Sequence, residues 1–164
     1  MLMLTTDELA EFFAGTESPV AFTRRPDAIP GDLRHGWRLA SLVLVLYRCW
    51  ANTASMEQIH VLASSLRSNA ARDTLTRWFE DRRLPDDFVV RYDPSLSRTV
   101  AIAVACGLAI RKENQSISLS PNGVALARTI WSDAQVLQRE KEFLTRLPKK
   151  ISQKSMRELL AGRY

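Results

Sequence analysis

Two histidines and two cysteines, with scattered serines and carboxylates, are the residues of this chain whose chemistry goes beyond packing and simple charge. His35 and His60 lie far apart, and neither belongs to a metal-ligand spacing or stands beside a nucleophile motif. No serine is framed by the glycines of a nucleophile turn, and none of the six glycines builds a phosphate-cradling loop. Cys49 and Cys106 each sit in an apolar run of helical character, so both are expected to be buried free thiols. That pattern fits a reducing cytoplasm. These residues predict a protein that is not an enzyme and holds neither metal nor cofactor.

The remaining chemistry is that of cations and aromatic rings. The formal net charge is +5 over 164 residues, unevenly placed. Residues 1–35 hold three basic and six acidic side chains, residues 36–131 twelve and eight, and residues 132–164 eight and four. A basic end permits an acidic partner or phosphate without requiring either. Six residues are the candidates for phosphate contact: Arg72, Arg98, Arg111, Lys112, Lys149 and Lys150. Arg72 shares a segment with Arg77, Arg82 and Arg83, where Asp73 and Asp81 flank Arg77 at helical spacing, so a salt-bridged solvent face is the plainer reading there. Trp37, Trp50, Trp78 and Trp131 suit core packing, and aromatic rings also anchor interfaces. Trp131 is the expected exception to core packing, because it stands where a final helix could leave the domain. The candidate partner-interface residues are Phe12, Phe13, Trp131, Leu137 and Leu144.

The elements that must position these residues follow from periodicity and caps. Thr5 with Glu8 forms a capping box ahead of Leu9, Phe12 and Phe13. Residues 16–35 contain Pro19, Pro26, Pro30 and Gly31 and predict a loop. A helix from Trp37 to Trp50 is apolar nearly all round and therefore central. Ser55 with Gln58 starts the next, and Asn69 caps a fourth with Leu75, Trp78 and Phe79 on its inner side. Phe88–Tyr92 reads as a strand. Asp93-Pro94-Ser95 then turns into a helix with Leu96, Val100, Val104 and Leu108 inward and Ser97, Arg98, Ala101 and Ala105 outward. Two strands, Leu108–Lys112 and Ser116–Leu119, flank a turn at Glu113-Asn114-Gln115. Ser120 caps a helix with Pro121 at its first position. That helix is expected to continue past Trp131 to Leu147, followed by a short basic helix with Met156, Leu159 and Leu160. The start MLMLTTDELAEFF carries acid where a signal peptide needs base, and the longest apolar run, Leu42–Leu46, is too short to cross a bilayer.

The stretch Gly107–Ala127 resembles the wing and following helix of many bacterial winged-helix proteins. Gly107-Leu108, a charged hairpin, Leu119-Ser120 and Gly123 carry the likeness. The expected fold is mainly α with a small β wing: a winged-helix-like domain at 36–131, an N-terminal helix and Pro-rich loop at 1–35, and a basic C-terminal helical extension at 132–164. A second stretch, His35–Ser68, resembles the helical half of the middle components of bacterial ABC-three-component systems, with Arg48-Cys49, Met56–Leu62 and Leu66-Arg67-Ser68 as the cues. That likeness implies a non-enzymatic adaptor that binds an ATPase or effector subunit in a conflict or anti-phage system; any DNA contact is expected to be independent of sequence, on the bland outward face of the helix before the wing as well as on the likeness. The alternative is a winged-helix transcriptional regulator, dimeric through its final helix. A recognition helix that reads bases needs long polar side chains, and Arg98 alone of the expected outward residues can make a bidentate base contact.

Overall fold

The computed structural model describes residues 31–81 and 93–161. Phe12, Phe13, the expected helix around them and the expected strand at Phe88–Tyr92 lie outside these residues. The chain is mainly helical, with one small antiparallel sheet, in a winged-helix-like arrangement. The order is α1 (Gly31–Arg48), a turn at Trp50–Asn52, β1 (Thr53–Ala54), α2 (Met56–Ser65), α3 (Asn69–Asp81), α4 (Pro94–Ala105), β2 (Ala109–Arg111), β3 (Ile117–Leu119), α5 (Pro121–Ser132), α6 (Gln138–Arg146) and α7 (Gln153–Ala161).

Helix α1 is the hub. Leu42 to Leu46 are all buried in one run, because α2, α4, α5 and α6 pack around it. A helix covered on every side can afford apolar residues at consecutive positions. It begins at Gly31, five residues inside the tract expected to be loop, directly after Pro30, the last proline of that tract.

The sheet has the order β1-β3-β2. Its third strand is Thr53–Ala54, paired antiparallel with β3 as Thr53 to Ser118 and Ala54 to Ile117. Two residues are too few for alternation to be visible in sequence. The wing hairpin matches its expected position, with Ala109 opposite Leu119 and Arg111 opposite Ile117. Its turn is closed by Asn114, whose Oδ1 accepts from the Ser116 backbone N–H at 3.1 Å, and by Gln115 at φ 62°.

Most helix starts form where expected. Ser55 accepts from the Gln58 N–H, Asp93 from the Ser95 N–H, and Ser120 from the Gly123 N–H. The cap of α3 is Ser68 rather than Asn69: the Ser68 hydroxyl accepts from the Ala71 N–H at 3.2 Å. Helix α4 turns Leu96, Thr99, Val100 and Ala103 inward, so Val104 stands out at 38% exposure instead of facing the core.

The final helix does not continue to Leu147. It stops at Ser132, because Asp133 Oδ1 accepts from the N–H groups of Gln135 (2.8 Å) and Val136 (3.3 Å) and closes a local turn that competes with the helix. Leu137 then takes a left-handed conformation at φ 52°, and α6 starts in a new direction. Residues 138–161 fold back onto the domain: Phe143, Leu144, Leu147, Ile151, Met156 and Leu159 belong to the same core as α1. Ser152 caps α7 by accepting from the Ser155 N–H at 3.1 Å, which sets its start at Gln153 rather than at the lysine pair.

Candidate functional site

The end of α1 and the segment before α7 are bound to each other through the backbone. The Trp50 N–H donates to the Ile151 carbonyl, and the Ile151 N–H to the Arg48 carbonyl, both at 3.1 Å. Gln58, fully buried on α2, adds a side-chain N–H to the Ile151 carbonyl at 3.1 Å. This clasp brings Trp50 and Lys150 together although they are far apart in sequence. The Lys150 ammonium sits over the Trp50 ring, 5.0 Å from its centroid, and Trp50 is nevertheless 61% exposed. Lys150 reaches this place with φ at 64°, and Ala51 and Asn52 on the opposite wall have φ of 51° and 52°. Three non-glycine residues in the left-handed region around one cleft are backbone strain held in place by the surrounding hydrogen bonds.

The cleft encloses about 550 Å³ and is lined by Tyr47, Arg48, Trp50, Trp131, Lys149 and Lys150 along with the backbone of the Trp50–Asn52 turn. Three of its lining side chains are cations and none is an acid. The Arg48 guanidinium lies 5.6 Å over the Trp131 ring and donates to the Leu147 carbonyl at 3.0 Å, while its Nε is buried with no hydrogen-bond partner. Burial pushes the Arg48 guanidinium below its ordinary value, and the neighbouring Cys49 works against that shift. Arginine keeps its charge through such shifts, so the cleft holds a partly desolvated cation with an unused donor. The wing touches the rim of this cleft. Lys112 Nζ lies 3.4 Å from Thr53 Oγ1, which itself donates to the Ala51 carbonyl at 3.0 Å.

The structure thus joins Lys149, Lys150 and Trp131 in one place and sets Lys112 at its edge. Arg48 and Trp50 complete the site, although the sequence offered Arg48 only as a cue of resemblance and neither as a candidate site residue. Trp50 sat at the end of a helix apolar all round and was expected in the core. The signal that separates it is the Arg48-Cys49 boundary at which α1 actually ends. Arg98 and Arg111 are exposed, on α4 and β2 respectively, and neither lines the cleft beside Trp50. Arg72 is not a surface phosphate ligand: its side chain is largely buried, donates to the Leu66 carbonyl at 2.6 Å and pairs with Glu140 at 3.7 Å. Asp73, expected to serve Arg77, lies 4.0 Å from Arg146 at the end of α6.

Three of the expected interface residues pack within the chain. Leu144 is 0% exposed, so it belongs to the core and presents nothing to a partner. Leu137 and Trp131 are partly buried and pack against the core, and the Trp131 ring lies 6.3 Å from that of Tyr47. Cys49 is buried as expected, whereas Cys106, at the exposed end of α4, is not. Among the described residues no group of three or more His, Cys, Asp and Glu could hold a metal ion, and no helix is long and apolar enough to cross a membrane. No family model, curated protein or solved structure matches the chain.

Proposed function

We propose that this chain is a non-enzymatic adaptor, an accessory subunit that docks on a larger ATPase or effector protein of a bacterial multi-component system and touches nucleic acid without reading its sequence. The observation that carries this reading is the outer face of α4, the helix that precedes the wing. Beyond Pro94 at its first position, its exposed residues are Ser97, Arg98, Ala101, Val104 and Ala105. In a sequence reader this helix enters the major groove and meets base edges with long polar side chains. Here one arginine stands beside three small apolar residues, a surface that suits contact with another protein. The wing cations Arg111 and Lys112, with Lys149 and Lys150, suit phosphate contact, which is indifferent to sequence.

Two experiments test the reading together. Tagged protein recovered from its native cell at moderate salt should bring a large ATPase or effector subunit that persists after nuclease treatment. Selection from a randomised duplex pool should enrich no motif. Nanomolar preference for one duplex, abolished by Arg98→Ala, would replace the adaptor with a transcriptional regulator.

A further inference from the structure

We infer that the cleft between the end of α1 and residues 149–151 is a binding site for single-stranded nucleic acid, with a base stacked on Trp50 and the adjoining phosphates held by Arg48, Lys149 and Lys150. The inference deepens the sequence-independent contact proposed above and does not depend on a protein partner.

Three observations favour this ligand. The first is the pairing of ring and charge. Trp50 is a large aromatic residue exposed to 61%, with a cation placed 5.0 Å over its ring. Proteins that hold single strands without regard to sequence combine aromatic platforms for bases with cations that follow the backbone. The second is the sign of the site, with Arg48, Lys149 and Lys150 in the lining and no carboxylate among them. The third is that the site is built rather than incidental. Ala51, Asn52 and Lys150 are held in left-handed conformations, and the Trp50-to-Ile151 and Ile151-to-Arg48 hydrogen bonds fix both walls.

A duplex meets these requirements poorly, since its bases are stacked on each other and cannot reach a tryptophan within a cleft. An acidic peptide would engage the lysines but leave the ring without a partner. The Arg48 fork is also partly committed, because its Nη2 already donates to the Leu147 carbonyl. Lys112, joined to the rim through Thr53, continues the cationic track toward the wing and offers the next phosphate a contact.

The test uses the full chain and a fluorescein-labelled oligothymidylate of about ten nucleotides. Binding should quench tryptophan emission, and log affinity should fall against log salt with a slope of about −2, the value for three neutralised phosphates of a single strand. Trp50→Ala should weaken binding about tenfold or more and Trp50→Phe should recover most of the loss, because stacking needs a ring rather than an indole. Lys149→Glu with Lys150→Glu should abolish binding. Trp50 is a surface residue, so a circular dichroism melt should show each Trp50 variant folded. Unchanged affinity in Trp50→Ala, no binding of the oligonucleotide, or equal competition by polyglutamate or by duplex of the same length would overturn the assignment. Failure of the adaptor reading looks different: the oligonucleotide binds through Trp50, yet no protein subunit is recovered with the chain.

Discussion

Cys49 and Cys106 carry the same side chain in opposite surroundings, and their reactivity should differ accordingly. Burial pushes the Cys49 thiol up to about 12, against the pull of the Arg48 charge, and the thiolate is the reactive form. Cys106 is exposed. Native protein at pH 8 should therefore consume one equivalent of a thiol reagent quickly and a second only in denaturant. Two fast equivalents would mean that the clasp between Arg48 and Ile151 opens readily. Asp93 and His60 set the response to acid. Burial works against the Asp93 charge, but hydrogen bonds from the Ser95 hydroxyl and N–H and from Arg67 outweigh it and hold the carboxyl below its ordinary range. Arg38 adds an ion pair at 3.5 Å. His60 is lowered chiefly by burial, with Asp93 opposing and Arg67 assisting. Both folded values lie below the unfolded ones, so in each case the unfolded chain takes up the proton first as pH falls. Stability should be flat near neutrality, decline as pH drops below about 6.5 and again in the carboxylate range, and decline also as pH rises through the ordinary thiol range of about 8.5, because the unfolded chain ionises Cys49 while the folded one keeps its proton. Asp93→Ala should cost about 1 kcal/mol at pH 7 through the lost cap of α4 and flatten the lower limb, whereas Asp93→Asn should keep most of the cap. Thermal melts across pH read both effects.

At the scale of elements, the most legible part of the sequence was the junction of α4, the wing and α5, because each of its signals answers a distinct steric demand. Gly107 adopts φ 67° at the end of α4, and the Leu108 N–H reaches back to the Ala103 carbonyl at 2.9 Å. Ser120 donates its hydroxyl to the Gly107 carbonyl at 2.5 Å and its N–H to the Leu108 carbonyl at 3.0 Å. Gly123 closes the contact: a Cβ there would lie 2.0 Å from the Leu108 carbonyl oxygen. The motif Gly-Leu, Leu-Ser, Gly is thus a single packing arrangement. Gly123→Ala should cost about 1–3 kcal/mol, since backbone rather than a flexible side chain must move. Gly36→Ala is the control: nothing lies within 4 Å of its added Cβ, and it sits inside α1, so it should stabilise by about 0.5–1 kcal/mol. Denaturant midpoints at unchanged m-value would measure both. Other elements were hidden for physical reasons. The strand Thr53–Ala54 has no period to read, and its partner at Ser118 is distant in sequence. The break after Ser132 depends on one aspartate side chain outcompeting a helical pattern that Leu137 and Leu144 continue in the sequence. The cleft escaped notice because it unites the ends of two segments through a backbone clasp that no local pattern encodes.

For the whole molecule, the question is whether residues 133–161 are an appendage or part of the domain, since an adaptor with a free helical arm would engage partners differently from one with a closed surface. The apolar faces of α6 and α7 supply Phe143, Leu144, Leu147, Met156 and Leu159 to the core that surrounds α1. Polar contacts reinforce the closure: Lys141 Nζ donates to the Ile130 carbonyl at 3.2 Å and also to that of Asp133, and Glu140 meets both Arg72 and the Trp37 indole N–H, the latter at 3.2 Å. A face already covered by the chain itself leaves little for a homodimer built on these helices, so the docking proposed above would fall to α4 and the wing. Leu144→Ala should accordingly cost about 2–5 kcal/mol, the range for a fully buried leucine, and should do so without changing the oligomeric state. A chain ending at Ser132 should show no cooperative unfolding transition, because it loses one wall of the core and exposes the inner side of α1. If instead that shortened chain melted cooperatively near the full-length midpoint, the last helices would be a separable arm, and Leu144 would return to the list of surfaces a partner could use.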